Sequence, residues 1–418
     1  MRLGVIAFLA VVVLGCRVEA KAVERKVTPP KVRPTTSPVE EITSPAGAGA
    51  AEPFLFATRD SVLLSWLEPV AKTDRVALRF ARYRGGQWSA PQTIVERNDL
   101  FVNWADFPSV VEDTKGTLFA HWLQKSSSGT YSYDVRMATS TDGKLFGKPF
   151  LLNRDGTNTE HGFVSLAVLP NGGIGATWLD GRKMSEGGGH GNAGHDAGGD
   201  MTIRYATVNA NGDIANDTEL DNRACECCAT GMTMTSSGPV IVYRDRSADE
   251  VRDIAYVAKI ASGWTKPARV HADDWKINAC PVNGPQIDAI GKRAVTAWFT
   301  AAQDKARAYV AFSDDAGRTF AKPVQIDDGK PLGRLDVVLV NEETALVTWL
   351  EQTAAGGEIR ARRVRRNGSI EPAVKIADSS AARGAGFARI ARLGNDVYVA
   401  WTEQSATSKK VHVARGRF

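Results

Sequence analysis

The residues best suited to chemistry are four cysteines. Cys225, Cys227 and Cys228 fall in one C-x-C-C stretch, and Cys280 follows within ACPVNGP (279–285). In an exported chain an even set of four suits disulfides, with three pairings open. Adjacent Cys227 and Cys228 resist bonding each other without strain, so that reading joins one of the triplet to Cys280. Thiolates equally suit copper or zinc, with His161, His190, His195 or His271 adding nitrogen. C-x-C-C is not a standard zinc spacing, and the second half of such a site is a single cysteine. From the sequence both readings stay open.

A second constellation is ionic. Glu160 stands beside His161, Asp180 and Arg182 share WLDGR, and YRDRSADEVRD (243–253) carries Arg244, Asp245 and Arg246; Arg334 and Asp336 follow further on. Guanidinium forks hold anionic groups, and paired carboxylates do acid and base work on a glycosidic bond. Glu160, Asp180 and Asp245 are therefore candidate catalytic acids or bases. Arg182, Arg244, Arg246 and Arg334 are candidate anion holders, with Trp104 and Trp275 as stacking faces and Asp106, His161 and Asp336 as further ligand contacts. Ion pairs between structural units would produce the same residue list.

Such residues need a scaffold, and the spacing of aromatic residues supplies one. Trp66, Trp122, Trp178, Tyr243, Trp298, Trp349 and Trp401 each end a short apolar run, at intervals of 56, 56, 65, 55, 51 and 52 residues. That is the period of a four-stranded propeller blade, and it predicts seven. The Gly-rich insertion SEGGGHGNAGHDAGGD (185–200), which carries His190 and His195, accounts for the long third interval. The cleanest unit runs through RAVTAW (293–298), RAYVAF (307–312) and PVQI (323–326), three alternating strands. The seventh unit ends at Phe418 before its fourth strand, while SPVEEI (37–42) repeats the Pro-x-x-x-Ile spacing of 372–376. Residues 37–42 are thus predicted to pair with 410–415 and close the ring.

Between the second and third strands of the cleanest unit stands Ser313-Asp314-Asp315-Ala316-Gly317-Arg318-Thr319-Phe320, with a shortened copy at 140–146. The pattern S-x-D-x-G-x-T-F resembles the Asp-box of the BNR repeat found in sialidases and related β-propellers. The resemblance implies an all-β propeller, with the six blades of sialidases as the alternative to seven. It also implies sialidase-like glycoside hydrolysis as one activity to weigh. The Arg-Ile-Pro motif of catalytic sialidases is missing: Arg389-Ile390-Ala391 reads as ordinary strand, and no motif assigns Arg182, Arg246 and Arg334 the roles of an arginine triad.

The apolar run Leu3 to Leu14 is too short to span a bilayer and has the length of a signal-peptide core. It ends in Val13-Leu14-Gly15-Cys16, which resembles the lipobox of bacterial lipoproteins and implies a lipidated Cys16. The expected organisation is a signal peptide at 1–15, a tether at 16–36 and a propeller at 37–418, held to a bacterial envelope membrane as a monomer. Net charge is +5, and loss of Arg2 with the signal leaves 51 − 47 = +4, too mild and too evenly spread for nucleic acid. The leading expectation is a ligand, a glycan or another anionic envelope molecule, bound on the axial loop face. Hydrolysis and copper or zinc handling are the alternatives.

Overall fold

A computed structural model describes residues 39–184, 199–405 and 407–418. Cys16, the signal and tether segments, His190 and His195 lie outside the described residues. The described chain folds into seven small antiparallel sheets. Their innermost strands are Ala51–Ala57, Ser109–Glu112, His161–Val168, Gly231–Thr235, Gln286–Ile290, Pro331–Asn341 and Arg389–Leu393. Each packs against the next in chain order and the last returns to the first, so the sheets are the blades of a seven-bladed propeller. Six blades are ruled out by that count.

Packing explains the sequence pattern. Second strands such as Ile174–Asp180 are buried at every position because a blade covers each side, and so they read as unbroken apolar runs. Outer strands such as Ile214–Asp221 are mostly exposed and read as polar. The seven repeated aromatics all lie in second strands, each 5% exposed or less.

The Asp-box at 313–320 is a turn clamp. Asp315 Oδ1 accepts from the Arg318 and Thr319 amides (3.0 and 2.9 Å), and the Thr319 hydroxyl donates to Oδ2 (2.6 Å). Gly317 sits at φ +77°, where a side chain would also strike Val240 of the preceding blade. Phe320 packs edge-on against Tyr256 of that blade. The shortened copy keeps the clamp: Asp142 holds the Lys144 and Leu145 amides at 2.8 and 2.9 Å.

Ring closure uses both ends of the propeller chain. Glu40–Ile42 pairs antiparallel with Lys409–Gly416, in the register Glu40 to Arg415 and Ile42 to Val413. Glu40–Ile42 becomes the short outer strand of the seventh blade and covers the edge of the last strand over Val413–Arg415.

Trp298 is fully buried between blades. Its replacement by Ala is expected to cost about 3–5 kcal/mol in urea unfolding, and a loss under about 1 kcal/mol would contradict the packing described.

Candidate functional site

Loops joining a fourth strand to the next first strand, and second to third strands, gather on one face of the ring. The candidate acids lie there, and each is engaged by the fold. Asp180 accepts the Trp178 indole N–H (2.7 Å) and a bidentate fork from Arg182 (2.6 and 2.8 Å). Glu160 takes the Tyr133 hydroxyl at 2.6 Å, with Tyr133 itself stacked under Phe101. Asp245 accepts the Arg246 amide, and burial together with the Asp221 charge pushes its carboxyl up to about 6. His161, wholly buried, joins Asp155 (3.0 Å) with Asp180 3.9 Å away. Burial pulls its imidazole down, but the Asp155 hydrogen bond and the Asp180 charge outweigh this and raise it.

The arginines expected to hold an anion turn inward. Arg244 donates to the carbonyls of Asn283, Arg252 and Phe299 and lies over the buried ring of Trp275. Arg246 is paired with Glu226 and Glu250, and Arg182 with Asp180. Arg334 reaches Asn283 Oδ1 (3.0 Å) and the Arg383 carbonyl (2.6 Å), covering the ring of Phe387; burial and Arg383 bring its guanidinium down to about 10. Trp275 packs edge-on against Phe299, and Trp104 leans on Phe387. These side chains form the interior of the loop face.

The cysteines converge. Cys225, Cys227 and Cys228 bring their sulfurs within 4.8 Å of one another, and Cys227 hydrogen-bonds with Cys280 across from the next blade. Burial pushes the Cys225 thiol up to about 11. The described histidines named as partners are engaged by carboxylates instead, His161 by Asp155 and His271 by Asp273.

The axial channel is a cavity of about 400 Å³, walled by all seven inner strands. Toward the loop face it pinches to a void of about 20 Å³ between Asn283, Arg334, Phe387 and Arg389. Phe54, Phe56, Met232 and Met234 give the channel apolar wall, while Asp106, Asp288, Asp336, Arg389 and Arg392 give it charge. Three of these acids are also fasteners. Asp106 accepts the Phe163 amide, Asp288 the Leu339 amide (2.7 Å) and Asp336 the Ile390 amide (2.9 Å), each in a neighbouring blade. Burial raises all three carboxyls, Asp106 to about 7 and Asp288 to about 6, and lowers the Arg389 guanidinium.

Asp288, Arg389 and Arg392 escape a sequence reading directed at long polar loops, because they sit inside strands. The available signal was a charged residue interrupting an inner strand of otherwise small and apolar residues. Arg389, set aside as ordinary strand, is the clearest case.

No protein-family model matches the chain, and no curated protein matches it. Solved structures do. A protein of unknown function from Dyadobacter fermentans matches over 92% of this chain and 100% of its own, at 14% identity and TM-score 0.52. The polysaccharide lyase Uly1 matches over 88% and 89%, at 10% identity and TM-score 0.52. A sialidase from Streptococcus pneumoniae covers 91% and 94%, at 10% identity and TM-score 0.46, too distant to carry an argument. At such identities the likeness is one of fold.

Because the Asp106 carboxyl is raised in the fold, the folded chain keeps a proton that the unfolded chain releases between the ordinary carboxylate range and about pH 7. Its contribution to stability therefore falls as pH rises through that window. Asp106→Asn keeps an acceptor for the Phe163 amide and removes the titration. Its melting temperature relative to the parent is expected to be more favourable at pH 8 than at pH 5; an equal difference at both would refute the desolvated carboxyl.

Proposed function

We propose that the protein is a lipid-anchored envelope propeller that binds a saccharide in its axial channel without cleaving it. The observation that carries this reading is the channel itself, about 400 Å³ and walled by apolar side chains together with fixed polar and charged groups, a volume within the range of small-ligand sites. Arg389, Arg392, Asp288 and Gln286 offer donors and acceptors to hydroxyls, and Phe54 and Phe56 offer apolar surface to a sugar ring. Because burial holds back the ionisation of Asp106, Asp288 and Asp336, they leave no large net charge beside Arg389 and Arg392, and such a channel favours a neutral saccharide over an anionic one. The polysaccharide lyase of the same fold makes saccharides the first ligand class to test.

Binding is favoured over hydrolysis by the state of the acids. Asp180, Glu160 and Asp245 each already accept a hydrogen bond from the fold, and Glu160 and Asp180 are buried. A carboxylate acting on a glycosidic bond must meet the substrate directly.

Glycan arrays followed by calorimetry are expected to find a neutral saccharide whose affinity drops at least about tenfold, or about 1.4 kcal/mol, in Arg392→Ala. Fluorogenic glycosides are expected to remain uncleaved. Failure to bind any saccharide, or binding indifferent to both Arg392→Ala and Asp288→Asn, would remove the channel as the site.

Anchoring is proposed from Cys16 alone. Cys16→Ser is expected to move the protein from the membrane fraction to the soluble one on cell fractionation, and retention in the membrane would overturn it.

A further inference from the structure

We infer that Cys225, Cys227, Cys228 and Cys280 form a thiolate site for a soft d¹⁰ cation, Cu(I) or Zn(II). This site is separate from the axial channel and independent of what the channel binds.

The first support is geometric. The triplet loop before the fourth blade and the 271–285 loop before the fifth bring sulfur from two blades together. Cys225 and Cys227 sulfurs are 3.8 Å apart, which matches the edge of a tetrahedron with metal–sulfur bonds of about 2.3 Å. Cys225 and Cys228 sulfurs approach to 2.7 Å, closer than two ligands of one cation, so a bound ion would spread this pair.

The second support is electrostatic and does not depend on the sulfurs' spacing. Arg244 and Arg334 are 1% and 8% exposed, and among the described residues neither has a carboxylate within salt-bridge distance. Arg334 Nε is buried without a hydrogen-bond partner. A guanidinium cannot discharge itself by losing its proton, so two of them buried on neutral oxygens need counter-charge nearby. Both bond Asn283, in the same loop as Cys280. Arg252, fully buried, adds a donor 3.5 Å from Cys225; its own charge is answered by Glu226 and Glu250.

The charges balance when metal is bound. Three thiolates around Cu(I), or four around Zn(II), carry two net negative charges, matching the buried guanidiniums of Arg244 and Arg334. Each thiol gives up its proton to solvent as its bond to the metal forms. Cys280, half-buried at the outer side of the cluster, offers the first sulfur to an incoming ion.

The test uses the full chain carrying Cys16→Ser, so that no fifth thiol intervenes. Purified without chelator and then reduced, it is expected to hold about one equivalent of metal by plasma mass spectrometry. Competition against a chromophoric Cu(I) chelator and against a zinc dye separates the two cations. Cys228→Ser is expected to weaken the bound metal by about 100-fold. Cys280→Ser, at a half-buried position that leaves the core intact, is expected to weaken it by about tenfold or more. Reduced protein that retains neither Cu(I) nor Zn(II) at micromolar free metal overturns the assignment, whether its thiols began free or as disulfides. Metal uptake unchanged by both serine variants overturns it as well.

Discussion

In four blades of this propeller the buried indole N–H meets a carboxylate that also holds something else, whereas the buried Trp122 N–H has no partner among the described residues. Glu68 takes the Trp66 indole and the Gly47 amide, both at 2.8 Å. Glu351 takes the Trp349 indole (2.7 Å) and the Lys330 amide (2.6 Å). Asp180 takes the Trp178 indole and the Arg182 fork, and Asp273, in the loop that precedes the blade, takes the Trp298 indole and His271. The aromatic residue that fills the space between blades is thus tied to the loops above it through one acid. Core packing and loop-face order are consequently a single problem, and loosening the aromatic loosens the loops.

That coupling explains what the sequence disclosed and what it hid. Blade number was legible because each blade repeats one environment, so Trp66 through Trp401 recur at nearly fixed intervals. Closure was legible because Pro38 and Ile42 copy the spacing of a fourth strand. The Asp-box was legible because its turn admits few residues at Asp315 and Gly317. Partners were not legible. Arg244, Arg246 and Asp180 have the chemistry of a ligand site, but a string of letters does not say whether a guanidinium faces solvent or a carbonyl three loops away. Asp106 and Asp336, read as ligand contacts, line the channel, and their second task as fasteners of the Phe163 and Ile390 amides was not legible. Asp288, Arg389 and Arg392 were missed for the converse reason, since strand sequence around them disguised a polar channel.

Two kinds of buried charge follow from this arrangement. Along the axis, Asp106, Asp288 and Asp336 are desolvated, and their ionisation is held back by burial while backbone amides favour it. Between the fourth and fifth blades the charge is positive and permanent, because arginine has no neutral form at any ordinary pH. The acidic channel can adjust to its surroundings by taking up protons. The guanidinium region cannot, and must be answered by other groups.

The seventh blade adds a constraint in time. Its outer strand, Glu40–Ile42, comes first along the propeller chain, yet its partner at Val413–Arg415 is among the last residues. The Glu40–Arg415 pair joins points 375 residues apart, and closing so long a loop is slow because its entropy is lost before any bond repays it. A chain emerging from its amino end must carry that strand unpaired until six blades and most of the seventh have formed. Until that pairing forms, the seventh sheet exposes a free edge on which another chain can pair.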